Sequence, residues 1–254
     1  MKKTIHPVLT VTMLFLIMIN PQQCFADQTL KVAFGDALPP WVIPETNTGI
    51  LIDIIKETLE PAGYTVKPVY LPYARRLVTY KYGKVDAVCD INPKIIADSK
   101  LKGYLSVIAY AYENIGVSLK KKGYSFSGIS DLVNYSVVSW QGAKAAIGGE
   151  YADMAGKNKK YRELANQELQ IKLLYAERED VIQLDRQIFR YFRKKVSEEG
   201  IIDTNQPVDI FPLFGKNKCG FLFRDKNAQV AFDSNFEILK KKGRYDEIFE
   251  KHTQ

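Results

Sequence analysis

The stretch VYLPYARRLVTYKYGKVDAVCD, residues 69–90, carries most of a strand–helix–strand unit. Residues 66–71 read as a strand and Pro72 turns the chain. Residues 73–82 read as a helix that Gly83 ends, and residues 85–89 as the next strand. Upstream, LKVAF at 30–34 is a strand stopped by Gly35, and Pro39-Pro40-Trp41 forces an extended turn. ILIDIIKETL at 50–59 places apolar residues at helical spacing and is closed by Pro61-Ala62-Gly63. Strands alternating with helices over short connections predict an α/β chain with a parallel sheet covered on both faces. In such sheets ligands bind outside the carboxyl ends of the strands. Residues 35–41, 72–76 and 90–93 share that edge, so the opening stretch reads as the wall of a ligand cleft.

The pattern restarts farther on. Residues 112–119 are a strand, 129–132 open a short helix, and YSVVSW at 135–140 is another strand leading into a helix at Gln141-Gly142-Ala143-Lys144. Residues 169–175 read as a strand and 178–195 as a long helix. Residues 208–213 and 219–223 are the last strands, followed by helices at 228–242 and 245–251.

The first 26 residues have a secretory layout: Lys2 and Lys3, an apolar run from Val8 to Ile19, and a small residue at Ala26 suited to cleavage. The run is shorter than the roughly 20 residues a membrane span needs, which predicts a soluble, exported mature chain. The formal net charge is +7, of which Lys2 and Lys3 supply two units. The excess is modest and spread out, which gives no ground for nucleic-acid binding. Beyond the leader the only histidine is His252, read as a solvated tail residue, and the cysteines are Cys89 and Cys219. Histidine triads, most zinc sites and four-cysteine metal sites are thereby excluded. Neither G-x-x-x-x-G-K-[ST] nor G-x-G-x-x-G occurs. No cofactor is expected.

The motifs LKVAFG…PPW, GILIDII around Asp53, GKVDAV at 83–88, SGISDL at 127–132, VVSWQG at 137–142 and LKKKGRYDEIF near the end follow one another in a set order. That order resembles the type II periplasmic solute-binding proteins, in particular the branch holding amino-acid receptors of ABC transporters. LPYARRL resembles members with a proline–aromatic–x–arginine stretch at this point. The resemblance implies two α/β lobes, each a mixed, mostly parallel sheet flanked by helices, closing over a small ligand. Lobe 1 would take 27–112 plus 218–254 and lobe 2 would take 113–217. The crossings would fall near 112–116 and 214–218, with Gly116 and Gly215 suited to the hinge. It further implies a periplasmic monomer that passes a small polar solute to an inner-membrane ABC permease. The alternatives are a sensor or accessory module acting through a protein partner, and a lyase of the cyclohexadienyl dehydratase kind using Glu113, Asp90 or Asp185 as general acid.

The amino-acid receptors bind the ligand carboxylate through arginine in a T-x-x-R segment. Here that segment is INPKIIADSK at 91–100, with Lys94 and no arginine. Arg75 and Arg76 are the other cations at this edge. Adjacent helix positions point about 100° apart, so at most one faces the cleft, and the family stretch puts it at Arg75. Asp185 matches the carboxylate that takes the ligand's amino group, whereas Asp180 and Asp86 read as structural. Gln141, Gly142 and Ala143 precede a helix, a position that suits their backbone N–H groups to an anionic ligand group. Trp41, Tyr73, Tyr110 and Trp140 would supply aromatic walls, and Asp90 would touch the cleft. Strand alternation sets Cys89 and Asp90 on opposite faces. The family's topology lays residues 219–223 antiparallel beside the third strand, which implies a Cys89–Cys219 disulfide in an oxidising compartment.

Overall fold

A computed structural model describes residues 28–253, so the expected leader lies outside the described residues. The first half runs β1 (Gln28–Phe34), α1 (Ile50–Leu59), β2 (Tyr64–Tyr70), α2 (Tyr73–Lys81), β3 (Ala87–Ile91), α3 (Pro93–Ser99), β4 (Tyr104–Leu105) and the long β5 (Tyr110–Leu119). Next come β6 (Val137–Trp140), α4 (Ala143–Ile147), α5 (Gly149–Lys157), β7 (Tyr161–Leu164), α6 (Gln167–Tyr175), β8 (Val181–Asp185) and α7 (Arg186–Glu198). The chain closes with β9 (Val208–Phe211), β10 (Lys216–Phe223), α8 (Lys226–Lys241) and α9 (Arg244–Thr253).

The strands follow the order β2-β1-β3-β10-β5-β8-β6-β7, with β4 beside β10 and β9 beside β5. β1 is parallel to β2 and β3, and β6 is parallel to β7 and β8. Two parallel groups are thus joined through the antiparallel strands β5 and β10. Residues 216–219 of β10 pair with 110–113 of β5, and from Asn114 onward β5 turns to β8. Both crossings of the chain run through this short ladder.

Local chemistry explains the start of the fold. The first N–H groups of α1 have no partner within the helix. The PPW turn supplies them: Ile50 N donates to the Pro40 carbonyl and Leu51 N to that of Trp41. Gly49, at φ 128°, makes the approach feasible, because a Cβ there would lie 2.7 Å from the Trp41 oxygen. α1 is buried along nearly its whole length, packed against the first sheet group, α8 and α9.

Several expectations need correcting. Residues 169–175 are helical, within α6, and 178–195 hold β8 followed by α7. Residues 169–175, LQIKLLY, suit strand and helix alike, and in 178–195 the short run VIQL passes into the helical pattern that follows with no Gly or Pro between them. The side chains that do divide them are caps: Asn166 accepts from Leu169 N, and Asp185 from Gln187 N and Ile188 N. His252 is not a solvated tail residue. Its side chain is 7% exposed and its Nε2 lies 2.8 Å from Asp53 Oδ2, beside Lys251 Nζ at 2.7 Å. Burial works against the Asp53 charge, but His252 and Lys251 outweigh it and hold the carboxyl below its ordinary range.

Cys89 and Cys219 are free, buried thiols rather than a disulfide. The β3–β10 register sets Gly220 opposite Ile91 and Leu222 opposite Val88, with an irregularity between them, while Cys219 pairs with Tyr110 on the other side. Cys89 therefore sits beside Phe221, out of step with Cys219, and its Sγ meets Arg76 Nη1 at 2.9 Å. Titrating the unfolded, unreduced protein with a thiol reagent should count two free thiols for these residues, and reductant should leave the melting temperature unchanged.

Candidate functional site

β3 ends in a backbone reversal that builds the first part of the site. Asp90 has φ 62°, the left-handed region, so the strand's alternation stops there. Cys89 and Asp90, expected on opposite faces, both reach Arg76: its Nη1 lies 2.9 Å from Cys89 Sγ and 2.5 Å from Asp90 Oδ2. Tyr110 and Tyr112 each donate an O–H to Asp90 Oδ1 at 2.8 Å. Burial works against the Arg76 charge, but Cys89 and Asp90 outweigh it and hold the guanidinium protonated above its ordinary range. Burial drives the Tyr110 and Tyr112 hydroxyls well upward, and the Asp90 charge adds to this. The two arginines part company, Arg76 buried against Asp90 and Arg75 exposed, and neither lines the cavity described below. Tyr73 begins α2, but its side chain lies outside those described. Lys94 is a surface residue paired with Asp98.

The second part centres on Asp185, the last residue of β8. Its Oδ1 accepts from Trp41 Nε1 at 2.8 Å, Gln187 N at 2.9 Å and Ile188 N at 3.3 Å, and its Oδ2 from Glu113 N at 2.9 Å. Trp41 is wholly buried and packs its ring on Tyr112 at 4.6 Å and Phe249 at 5.7 Å. It holds Asp185 from the first strand group rather than lining the cleft. Burial raises the Asp185 pKa, although the four N–H donors oppose the rise. A carboxyl protonated more readily folded than unfolded stabilises the native state below its ordinary value of 3.8 and loses that contribution as pH rises through the folded value. Asp185→Asn cannot ionise. The unfolding free energy of wild type relative to this variant should therefore fall as urea titrations move up from pH 3.8.

A cavity of about 500 Å³ opens between the two strand groups at the crossings. Leu38 and Tyr112 line it from one side, and Asn114, Trp140, Ala146, Ile147, Gln167, Asp185 and Ile188 from the other, with Phe214, Gly215 and Asn217 along the return crossing. Of the expected residues, Trp140 and Asp185 line it. Gln141 and Gly142 do not present free donors. Gln141 N donates to the Leu164 carbonyl, while Glu163 accepts from Gly142 N at 2.7 Å and Lys144 N at 2.8 Å. The anion seat at the start of α4 is filled by the chain's own carboxylate. Asp180 accepts from Tyr124 and Ser136, and Asp86 from Lys31 N, both structural as expected. A second cavity, of about 450 Å³, lies across Asp185 from the first and is lined with charges from α7 and α9, among them Arg186, Arg190 and Glu250.

The amides Asn114, Gln167 and Asn217 were missed in the sequence. Asn114 and Asn217 sit within the two expected crossings, and that position is the one signal that could have found them. Gln167 follows the cap Asn166 just ahead of residues 169–175, which read as strand, so no signal pointed to it.

Comparison with known proteins agrees with this architecture. No curated protein matches the sequence. An ancestral cationic amino acid solute-binding protein superposes with a TM-score of 0.68 at 20% identity, covering 89% of this chain and 96% of its own. A structure described as the ancestral amino acid-binding protein that is a precursor of cyclohexadienyl dehydratase gives 0.62 at 20% identity, with 89% and 96% covered. The L-cystine solute receptor of Neisseria gonorrhoeae, unliganded and open, gives 0.64 at 16% identity, with 90% and 94% covered. At these identities the likeness establishes the two-lobed fold. A family model spans residues 30–254, taking in both strand groups, both crossings and the cavity between them, and by that match the chain belongs to the bacterial extracellular solute-binding proteins, family 3.

Proposed function

We propose that this protein captures a small polar solute in the cavity at the crossings, outside the inner membrane, and delivers it to an ABC permease. The observation that carries the reading is that cavity, lined from both strand groups and by the two strands that join them. Residues 27–112 with 218–254 and residues 113–217 would act as the closing lobes, and a solute touching both would favour the closed form. Among the described residues no helix is long and apolar enough to cross a membrane.

Binding without turnover suits the carboxylates at the crossings. Asp185 accepts four N–H bonds, Glu113 pairs with Arg186 at 2.8 Å, and Asp90 pairs with Arg76. A lyase needs a carboxyl free to give its proton to the substrate, and each of these is engaged elsewhere. Small-angle scattering should show the radius of gyration falling when a binding compound is added, with a parallel rise in melting temperature. Conversion of that compound at catalytic rates would replace the binding reading with the enzymatic one.

A further inference from the structure

Resting on the solute-binding reading, we propose that the solute is an uncharged molecule, a ring compound or cyclic amide bearing an N–H donor, and not a zwitterionic amino acid. Among the described residues no lysine, arginine or histidine lines the cavity. The cations and N–H groups nearest in role are committed: Arg76 is held by Asp90, and the start of α4 by Glu163. A ligand carboxylate would therefore enter without a cationic partner, and a charge left unpaired in a desolvated cleft is costly. The amino end fares no better. Asp185 is the single carboxylate lining the cavity among the described residues; it is 5% exposed, and both its oxygens already accept N–H bonds.

What the cavity offers is neutral. Gln167 Oε1 is buried with no hydrogen-bond partner among the described residues, and a buried acceptor of this kind is satisfied by a ligand donor. Asn114 Oδ1 accepts from Gln183 Nε2 at 2.8 Å and Trp140 Nε1 at 3.3 Å, which leaves its amino group as the end that can donate to a ligand carbonyl. Trp140, Tyr112 and Phe214 supply flat apolar walls, suited to a ring whose edge carries the polar groups.

The test uses the dialysable small molecules of yeast extract, divided on mixed strong ion-exchange resin into an uncharged flow-through and a retained fraction that holds every amino acid. Each is added to the purified protein in a thermal-shift titration. A rise in melting temperature with the flow-through supports the proposal. A rise with the retained fraction alone overturns it and leaves the solute-binding reading standing. No rise with either overturns that reading and the proposal with it. Gln167→Leu should demand at least about tenfold more flow-through for the same shift, since one hydrogen bond of about 1.4 kcal/mol is tenfold in affinity, with the ligand-free melting temperature unchanged. Equal titrations for variant and wild type would refute the donor requirement.

Discussion

Replacing Arg76 by alanine is expected to lower the unfolding free energy by about 3–5 kcal/mol, the usual cost of removing one partner from a buried ion pair. The side chains of Arg76 and Asp90 are 6% and 13% exposed, so water cannot take the place of the lost guanidinium. Asp90 would retain the two tyrosine hydroxyls, which donate hydrogen bonds but bring no positive charge. Urea denaturation of Arg76→Ala beside Arg75→Ala makes the comparison internal. The exposed Arg75 should shift stability by no more than about 0.5 kcal/mol. Equal midpoints for the two variants would show that the buried pair contributes nothing. Arg76→Met with Asp90→Asn together should recover part of the loss, because breaking a pair costs more than replacing it with neutral groups.

The second large effect lies at Trp41. Its truncation to alanine should cost about 3–5 kcal/mol, the range for deleting a large buried aromatic side chain. Phenylalanine is the more informative variant. It keeps a ring against Tyr112 and Phe249 and removes only the Nε1–H that reaches Asp185. A buried acceptor that loses one of four donors should cost about 1–3 kcal/mol. The Trp41 hydrogen bond opposes the upward push of burial on Asp185, so its loss should move that pKa farther up. Urea midpoints measured for Trp41→Phe across the acid range read both effects, and a midpoint equal to wild type at neutral pH would remove the hydrogen bond from the account of stability.

The fold of residues 28–91 was legible because its signals agree. Short apolar strands, helices closed by glycine or proline, and brief connections all point to one arrangement. Between 166 and 198 they conflict. Residues 169–175 suit either state, β8 passes into α7 with no breaker between them, and the deciding residues are single caps, Asn166 and Asp185, whose roles depend on a donor three residues ahead or fewer. The site divides similarly. Trp140 closes a strand that the sequence shows, whereas Asp185 was reached only through the family resemblance, because 178–195 reads as one long helix. The burial of Arg76 rather than Arg75 turns on the rotation of α2 and on a left-handed backbone at Asp90, which a non-glycine residue does not announce. The filling of the α4 anion seat was beyond reach, because Glu163 lies 21 residues from Gly142 and meets it only once β6 and β7 have paired.

The unequal settings of Trp41 and Trp140, the chain's two tryptophans, have an optical consequence. Indole emission shifts to longer wavelength as its surroundings become more polar. Trp41, sealed among aromatic rings, should emit at the blue end whatever occupies the cavity, whereas Trp140 borders the cavity and shares its solvent. Excitation at a wavelength that tyrosine does not absorb isolates this pair. A change in the red component against a constant blue one would then follow cavity occupancy in real time, with no label attached.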